Sequence, residues 1–160
     1  MAEQKTNVMR MLEQKKIPYT PHEYPHGDAA VDGVTVARLT GLDPERVFKT
    51  LVARGASKKV YVFVVPVAKE LELKKAAKAV GEKSIAMVHV SEITALTGYV
   101  RGGCSPVGMK KQYPSVFHSS AESLETIAVS AGKIGSQVEL SPQALSALVR
   151  GKFADITAED

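Results

Sequence analysis

"VFKTLVARGASKKVYVFVVPVA", residues 47–68, consists of two runs of β-branched and aromatic residues separated by Gly55-Ala56-Ser57-Lys58. Such runs on either side of a glycine-containing turn read as a β-hairpin. Alternation along the first arm sets Val47, Lys49, Leu51 and Ala53 on one side, and Phe48, Thr50, Val52 and Arg54 on the other. Lys49 therefore shares a largely apolar face. A lysine in that position either snorkels at a sheet edge or holds its charge in a pocket for a purpose.

The segments around the hairpin alternate irregularly between helix and strand. Upstream, "KTNVMRMLEQKK" carries Val8, Met11 and Leu12 at helical spacing, with Thr6 as N-cap. "PYTPHEYP" is too proline-rich for helix and reads as extended chain. After the loop "HGDAAVDG", "VTVARLTGL" reads as a short helix stopped by Gly41, and "DPER" as a single turn. Downstream, "ELELKKAAKAVG" is a helix closed by Gly81, "SIAMVHV" a buried-type strand, and "SEITALTG" a short helix capped by Ser91 and ended by Gly98. "SVFHS", "ETIAVSAG" and "GSQVELS" read as strands, followed by a helix starting at Ser141-Pro142 and a short strand at "FADIT". Hairpins outnumber regular βαβ units, so the expected class is α+β with a mixed or antiparallel sheet.

The 160 residues suit one domain, expected over residues 1–160, that can bury roughly 70% of its unfolded surface. Hydrophobic residues at 44% and charged residues at 24% are ordinary globular values. No apolar run approaches the ~20 residues needed to cross a bilayer, and "MAEQKTNVMR" lacks the apolar core of a signal peptide. A cytoplasmic protein without a membrane partner is expected. Cys104 is the single cysteine and the four histidines are scattered, with Pro25 between His22 and His26, so no metal site is expected. The net charge of +4 includes three acids in the last six residues, "DITAED". The body is accordingly more basic, with lysines gathered at Lys58-Lys59, Lys74-Lys75-Lys78, Lys83 and Lys110-Lys111. This suits either a solvated surface or a phosphate backbone as partner.

No GxSxG, Walker, HExxH or GxGxxG pattern is present. "TGYVRGGCSPVGMKKQYP", residues 97–114, is the remaining candidate for chemistry. Gly102, Gly103 and Gly108 can leave backbone N–H groups unshielded to bind a carbonyl oxygen or phosphate, or they can simply form a turn. Cys104 has no histidine nearby in sequence to activate it and reads as an inert small residue.

"FKTLV" with Lys49, "LKKAAKAVG", "GGCSP" fitting G-x-x-x-P from Gly102 to Pro106, and "VSAGKIG" occur in an order that resembles the YbaK/EbsC family of aminoacyl-tRNA deacylases. The likeness runs from about residue 5 to residue 156 and takes in "HEYPH" and "VELSPQ". It implies a curved, mixed, partly barrel-like β-sheet surrounded by helices, as in the editing domain of prolyl-tRNA synthetases. It also implies hydrolysis, without a cofactor, of cysteine from mischarged tRNA(Pro). The implied partners are tRNA and prolyl-tRNA synthetase, with no DNA. Lys49, Gly102 and Gly103 would act on the ester, and Tyr24, Thr50, Ser105, Pro106 and Ser130 would line the pocket. In the cysteine branch the substrate's own thiol is taken as the attacking group. Two alternatives remain at this stage, a non-catalytic binder of tRNA ends or of the synthetase, and a hydrolase for another ester such as an alanyl or seryl one. One departure is Ala131, where the family's "VSAGKIG" turn commonly has glycine. If that position needs positive φ, alanine costs about 1 kcal/mol there.

Overall fold

The computed structural model describes residues 5–26 and 31–158. The α-helices and strands in chain order are α1 (Asn7–Gln14), β1 (Tyr19–Glu23), α2 (Gly33–Thr40), β2 (Phe48–Gly55), β3 (Val60–Pro66), α3 (Leu73–Val80), β4 (Ile85–Met87), α4 (Ile93–Thr97), β5 (Ser115–His118), β6 (Ile127–Ser130), β7 (Ser136–Leu140), α5 (Pro142–Val149) and β8 (Lys152–Ala154).

 The hairpin is β2 and β3, paired antiparallel from Phe48↔Pro66 to Arg54↔Val60, and the turn closes with the Gly55 N–H donating to the Lys59 carbonyl at 2.9 Å. β3 then pairs in parallel with β5, and β5 with β8, so the five-stranded sheet runs β4-β2-β3-β5-β8 and is mixed. A second, antiparallel sheet runs β1-β7-β6.

The two sheets meet at one place. Val47 and Ala128 form a parallel bridge, and the Ala128 N–H donates to the Arg46 carbonyl at 2.8 Å. Beneath this seam the sheets face a common core, to which Phe48, Val52, Val62, Val64 and Phe117 contribute from one side and Ile127, Val129, Val138 and Leu140 from the other. Val8 and Leu12 of α1 and Leu145 and Val149 of α5 complete it. Two smaller clusters lie on the opposite face. α3 covers Ala53, Tyr61, Phe63 and Val65 with Ala76 and Ala77, while α2 covers Val47, Val67 and Ala128 with Ala37.

The helix ends follow local chemistry. Thr6 caps α1 through its hydroxyl, which accepts the Met9 N–H at 3.2 Å, a contact worth about 1 kcal/mol. Ser141 caps α5 in the same way, with Pro142 in its first turn. α2, α3 and α4 stop at Gly41, Gly81 and Gly98, each in the left-handed region.

Three expectations need correction. "SIAMVHV" is not a buried strand: only Ile85–Met87 pairs, at the edge beside Ala53–Gly55, and Ala86 and Met87 are exposed. Ser91 does not cap the following helix. A single 3-10 turn, Val90–Glu92, precedes α4, and His89 and Glu92 cap it reciprocally, with the Ser91 hydroxyl held by His89 Nδ1 at 2.9 Å. The α+β class and the mixed sheet hold, but among the described residues β1 and β8 remain open edges, so barrel-like closure is not seen.

Candidate active site

The face of β2 that carries Lys49 is divided between two helices. Val47 lies under α2, and Leu51 and Ala53 pack beneath α3. Lys49 falls between the two clusters and is half-buried. Among the described residues its ammonium has no hydrogen-bond or ion-pair partner. The stem is thus packed while the charge is left without a counter-ion, an arrangement that suits an anionic or carbonyl ligand.

The seam sets what stands beside it. Val47 and Ala128 are bridge partners, so two residues further along each strand Lys49 and Ser130 follow on the same face. Ser130 lies across from Gln137 of β7, and Gln137 across from His22 of β1. The result is a polar row, Ser130, Gln137 and His22, across the three strands of the second sheet, with Lys49 on the far side of the seam in the first. Gln137 is only 6% exposed and its Oε1 is buried without a partner. The row ends in an anchored pair: His22 Nε2 lies 2.8 Å from Glu139 Oε1. The Thr126 hydroxyl, and after it His22, hold the Glu139 carboxyl below its ordinary range. Tyr24 directly follows β1, is buried, donates its N–H to the Gly135 carbonyl at 3.0 Å, and meets His26 edge to face at 6.4 Å between ring centres.

The glycine loop reaches this group through the turn that follows Ser130. A Cβ placed on Gly103 would stand 3.0 Å from backbone atoms of Lys133 and Ile134, so the absence of a side chain lets the two segments touch. The loop is closed at its base by the Lys110 N–H to the Thr97 carbonyl at 3.0 Å, and braced across by the Tyr99 hydroxyl donating to the Val107 carbonyl. The Gly103 N–H is itself spent on the Val100 carbonyl at 3.0 Å. This corrects the expectation that Gly103 offers a free donor: its role is close approach. The N–H groups of Gly102, Cys104 and Ser105 have no acceptor among the described residues. Gly102, exposed and at φ 85°, is the most accessible of the three.

Other expected site residues are placed differently. Ser105 and Pro106 are buried, and the Ser105 hydroxyl accepts the Val107 N–H at 3.2 Å. They shape the loop from within. Ser130 Oγ accepts the Gly132 N–H at 3.1 Å. Thr50 projects to the other face of β2, toward the Phe48 and Val52 side, and its buried hydroxyl has no partner. Ala131 is not among the residues with positive φ. Its N–H donates to the Ser136 carbonyl at 3.0 Å and its methyl sits in the main core, so alanine carries no conformational cost there. Gln137 was not singled out from the sequence, although a polar residue at a core-flanked strand position was a readable signal.

Cys104 is 9% exposed, and burial pushes its thiol up to about 11. At pH 7 only about one molecule in ten thousand then carries the thiolate that nucleophilic attack requires. Cys104→Ala is expected to keep the deacylation that the resemblance implies within about threefold of the parent. Loss of turnover in a variant with an unchanged circular-dichroism spectrum would restore the thiol as a participant. Among the described residues no cluster of three or more His, Cys, Asp or Glu side chains could hold a metal ion, and no helix is long and apolar enough to cross a membrane.

Comparison with known proteins adds four findings. The family model for the aminoacyl-tRNA editing domain matches residues 29–148. The Enterococcus faecalis protein EbsC, named as a candidate Cys-tRNA(Pro)/Cys-tRNA(Cys) deacylase, is 46% identical over 158 residues, covering 99% of this chain and 96% of that one. Among solved structures, a candidate trans-editing enzyme for prolyl-tRNA synthetase superposes with a TM-score of 0.82 at 23% identity, over 98% of this chain and all (100%) of that one. The hypothetical protein APE2540 superposes with a TM-score of 0.84 at 21% identity, over 96% and 100%. These two share the fold.

Proposed function

The chain belongs to the aminoacyl-tRNA editing domain family, and on that premise we propose that it is a deacylase that removes cysteine from mischarged tRNA(Pro) in the cytoplasm, working in trans beside prolyl-tRNA synthetase. The observation that carries the reading is the half-buried Lys49 ammonium, uncompensated among the described residues, beside the polar row of Ser130 and Gln137. The name of the E. faecalis relative supports the aminoacyl group and the tRNA.

The ester joining an amino acid to the terminal ribose is already activated, so positioning and charge stabilisation account for the catalysis required. Lys49 stabilises the oxygen that becomes negative as the carbonyl is attacked. The free N–H groups of Gly102, Cys104 and Ser105 supply further donors from the loop. With Cys104 protonated and buried, the nucleophile comes from the substrate. Its thiol sulfur bonds to its own carbonyl carbon, the ester C–O bond breaks, and the thiol proton passes to the departing ribose oxygen. The products are a four-membered thiolactone and uncharged tRNA. Water then opens the thiolactone to free cysteine.

The test compares one tRNA charged with cysteine, S-methylcysteine, alanine or serine, with release of the amino acid followed over time and competition binding measured in parallel. Cysteine should be released, and S-methylcysteine should bind yet remain attached. Equal release from the bound S-methyl form would replace the thiol with water as the attacking group. Binding of all four charged tRNAs with no release would leave a binder of tRNA ends.

A further inference from the structure

We propose that the cleft lined by Lys69, Lys75, His118, Ser119 and Thr157 is a second anion site, one that binds a phosphate group apart from the place of the ester. The cleft holds about 380 Å³, room for a phosphate and part of the group that carries it. Its walls are pinned. Leu71 and Thr157 form an antiparallel bridge, the Glu72 N–H donates to the Ile156 carbonyl at 2.8 Å, and the Ala158 N–H donates to the Glu70 carbonyl at 2.9 Å. The polar groups between these walls are donors. His118 Nδ1 accepts the Ile156 N–H at 3.2 Å, and burial, the largest influence on the ring, lowers its pKa from the ordinary histidine value. The proton of the neutral imidazole therefore sits on Nε2, 3.3 Å from the Thr157 hydroxyl that accepts it. Thr157 is 5% exposed, and its own O–H has no acceptor among the described residues. Ser119 adds a half-buried hydroxyl in the same condition.

Charge selects the ligand. Lys75 Nζ donates to the Thr157 carbonyl at 2.9 Å and to Asp155 Oδ2 at 3.1 Å, so the third of its N–H groups is left over. Lys69 is the other half-buried cation of the lining, and the Asp155 carboxylate beside them is 61% exposed. Two ammonium groups and two hydroxyl donors against one solvated carboxylate suit a tetrahedral oxyanion. Register places the cleft relative to Lys49. Lys49 pairs with Val65, and the β3–β5 register that sets Val64 across from Phe117 brings His118 beside Val65 on the same face. Two strand spacings, about 10 Å, separate Lys49 from His118. The seam with Ser130 lies on the other side of Lys49, so the cleft and the glycine loop are separate places. A phosphate in the cleft arrives either on the backbone of a bound RNA or as part of a free phosphorylated compound.

The experiment titrates the full chain with inorganic phosphate by calorimetry at constant ionic strength, with chloride as the reference anion. Phosphate should bind saturably, and Lys75→Gln should weaken it by about tenfold, the loss of one charge-assisted hydrogen bond. Lys69→Gln should do the same, and it keeps the test open if loss of the Lys75 contacts to Thr157 and Asp155 unfolds the first variant. Lys74→Gln removes an exposed lysine of α3 outside the cleft and should leave phosphate binding within about twofold. Phosphate bound no better than chloride, or weakened equally by Lys74→Gln and the cleft variants, would overturn the inference. A second arm finds the source by following release of the amino acid from charged tRNA over a range of salt. If RNA supplies the phosphate, Lys75→Gln raises KM by about tenfold with kcat kept, and the slope of log KM against log salt falls by about one. If a free compound supplies it, KM is unaltered while phosphate binding is still weakened. Both results keep the site. The calorimetric arm needs no turnover, so a parent protein that binds phosphate but releases no amino acid overturns the proposed activity and leaves the cleft standing.

Discussion

Lys49→Met is expected to lower kcat/KM for deacylation by about 10²- to 10³-fold, the loss that follows removal of one donor to a developing oxyanion. Methionine keeps most of the stem and discards the charge. The packing between the α2 and α3 clusters therefore survives, and among the described residues there is no ion pair to break. The melting temperature should move by no more than a few degrees, equivalent to about 1 kcal/mol or less. Single-turnover measurement with pre-charged tRNA, alongside thermal melting, separates the two quantities. Near-parental turnover would remove Lys49 from the chemistry, and a large drop in melting temperature would make it a structural residue.

Gly103→Val carries the second large effect. Its side chain must enter the contact with Lys133 and Ile134, where backbone atoms already stand 3.0 Å from an added Cβ and cannot turn aside as a flexible side chain could. The loop and the turn after Ser130 have to separate. The free N–H groups of Cys104 and Ser105 then move relative to Lys49, and a displacement near 1 Å is enough to cost about 10²-fold in rate. Gly103→Ala places only the methyl there and should fall between the parent and valine. If both variants turn over substrate at the parental rate, the contact between the two segments does not position the site.

The hairpin, most strands and the helix ends were legible because their signals are local. Alternation in residues 47–54 placed Lys49 and Thr50 on opposite faces before any tertiary information, and the glycines at 41, 81 and 98 marked helix ends. The edge position of Ile85–Met87 was not legible, since composition alone cannot say how many neighbours a strand has. His89 displaced Ser91 as the cap because histidine is an unusual capping residue, and only the geometry reveals its bond to Ser91. Gly103 was singled out for its N–H, whereas in the structure that N–H is bonded to Val100 and it is the missing side chain that lets two segments touch. The need for close approach depends on Lys133 and Ile134, thirty residues away, which no local pattern connects to it. The same limit hid Gln137: its place beside Ser130 follows from the β6 and β7 register.

The bridge between Val47 and Ala128 means that Lys49 and Ser130 belong to different sheets. Their separation is set by how the side chains on either side of the seam fill space, with Phe48 and Val129 below and Ala37 and Val67 above. Volume changes at these positions can widen or narrow the gap without altering any residue that touches the ester. A lineage could therefore drift from one aminoacyl group to a larger or smaller one by repacking its interior, while the lysine and glycine loop proposed to act on the ester stay the same.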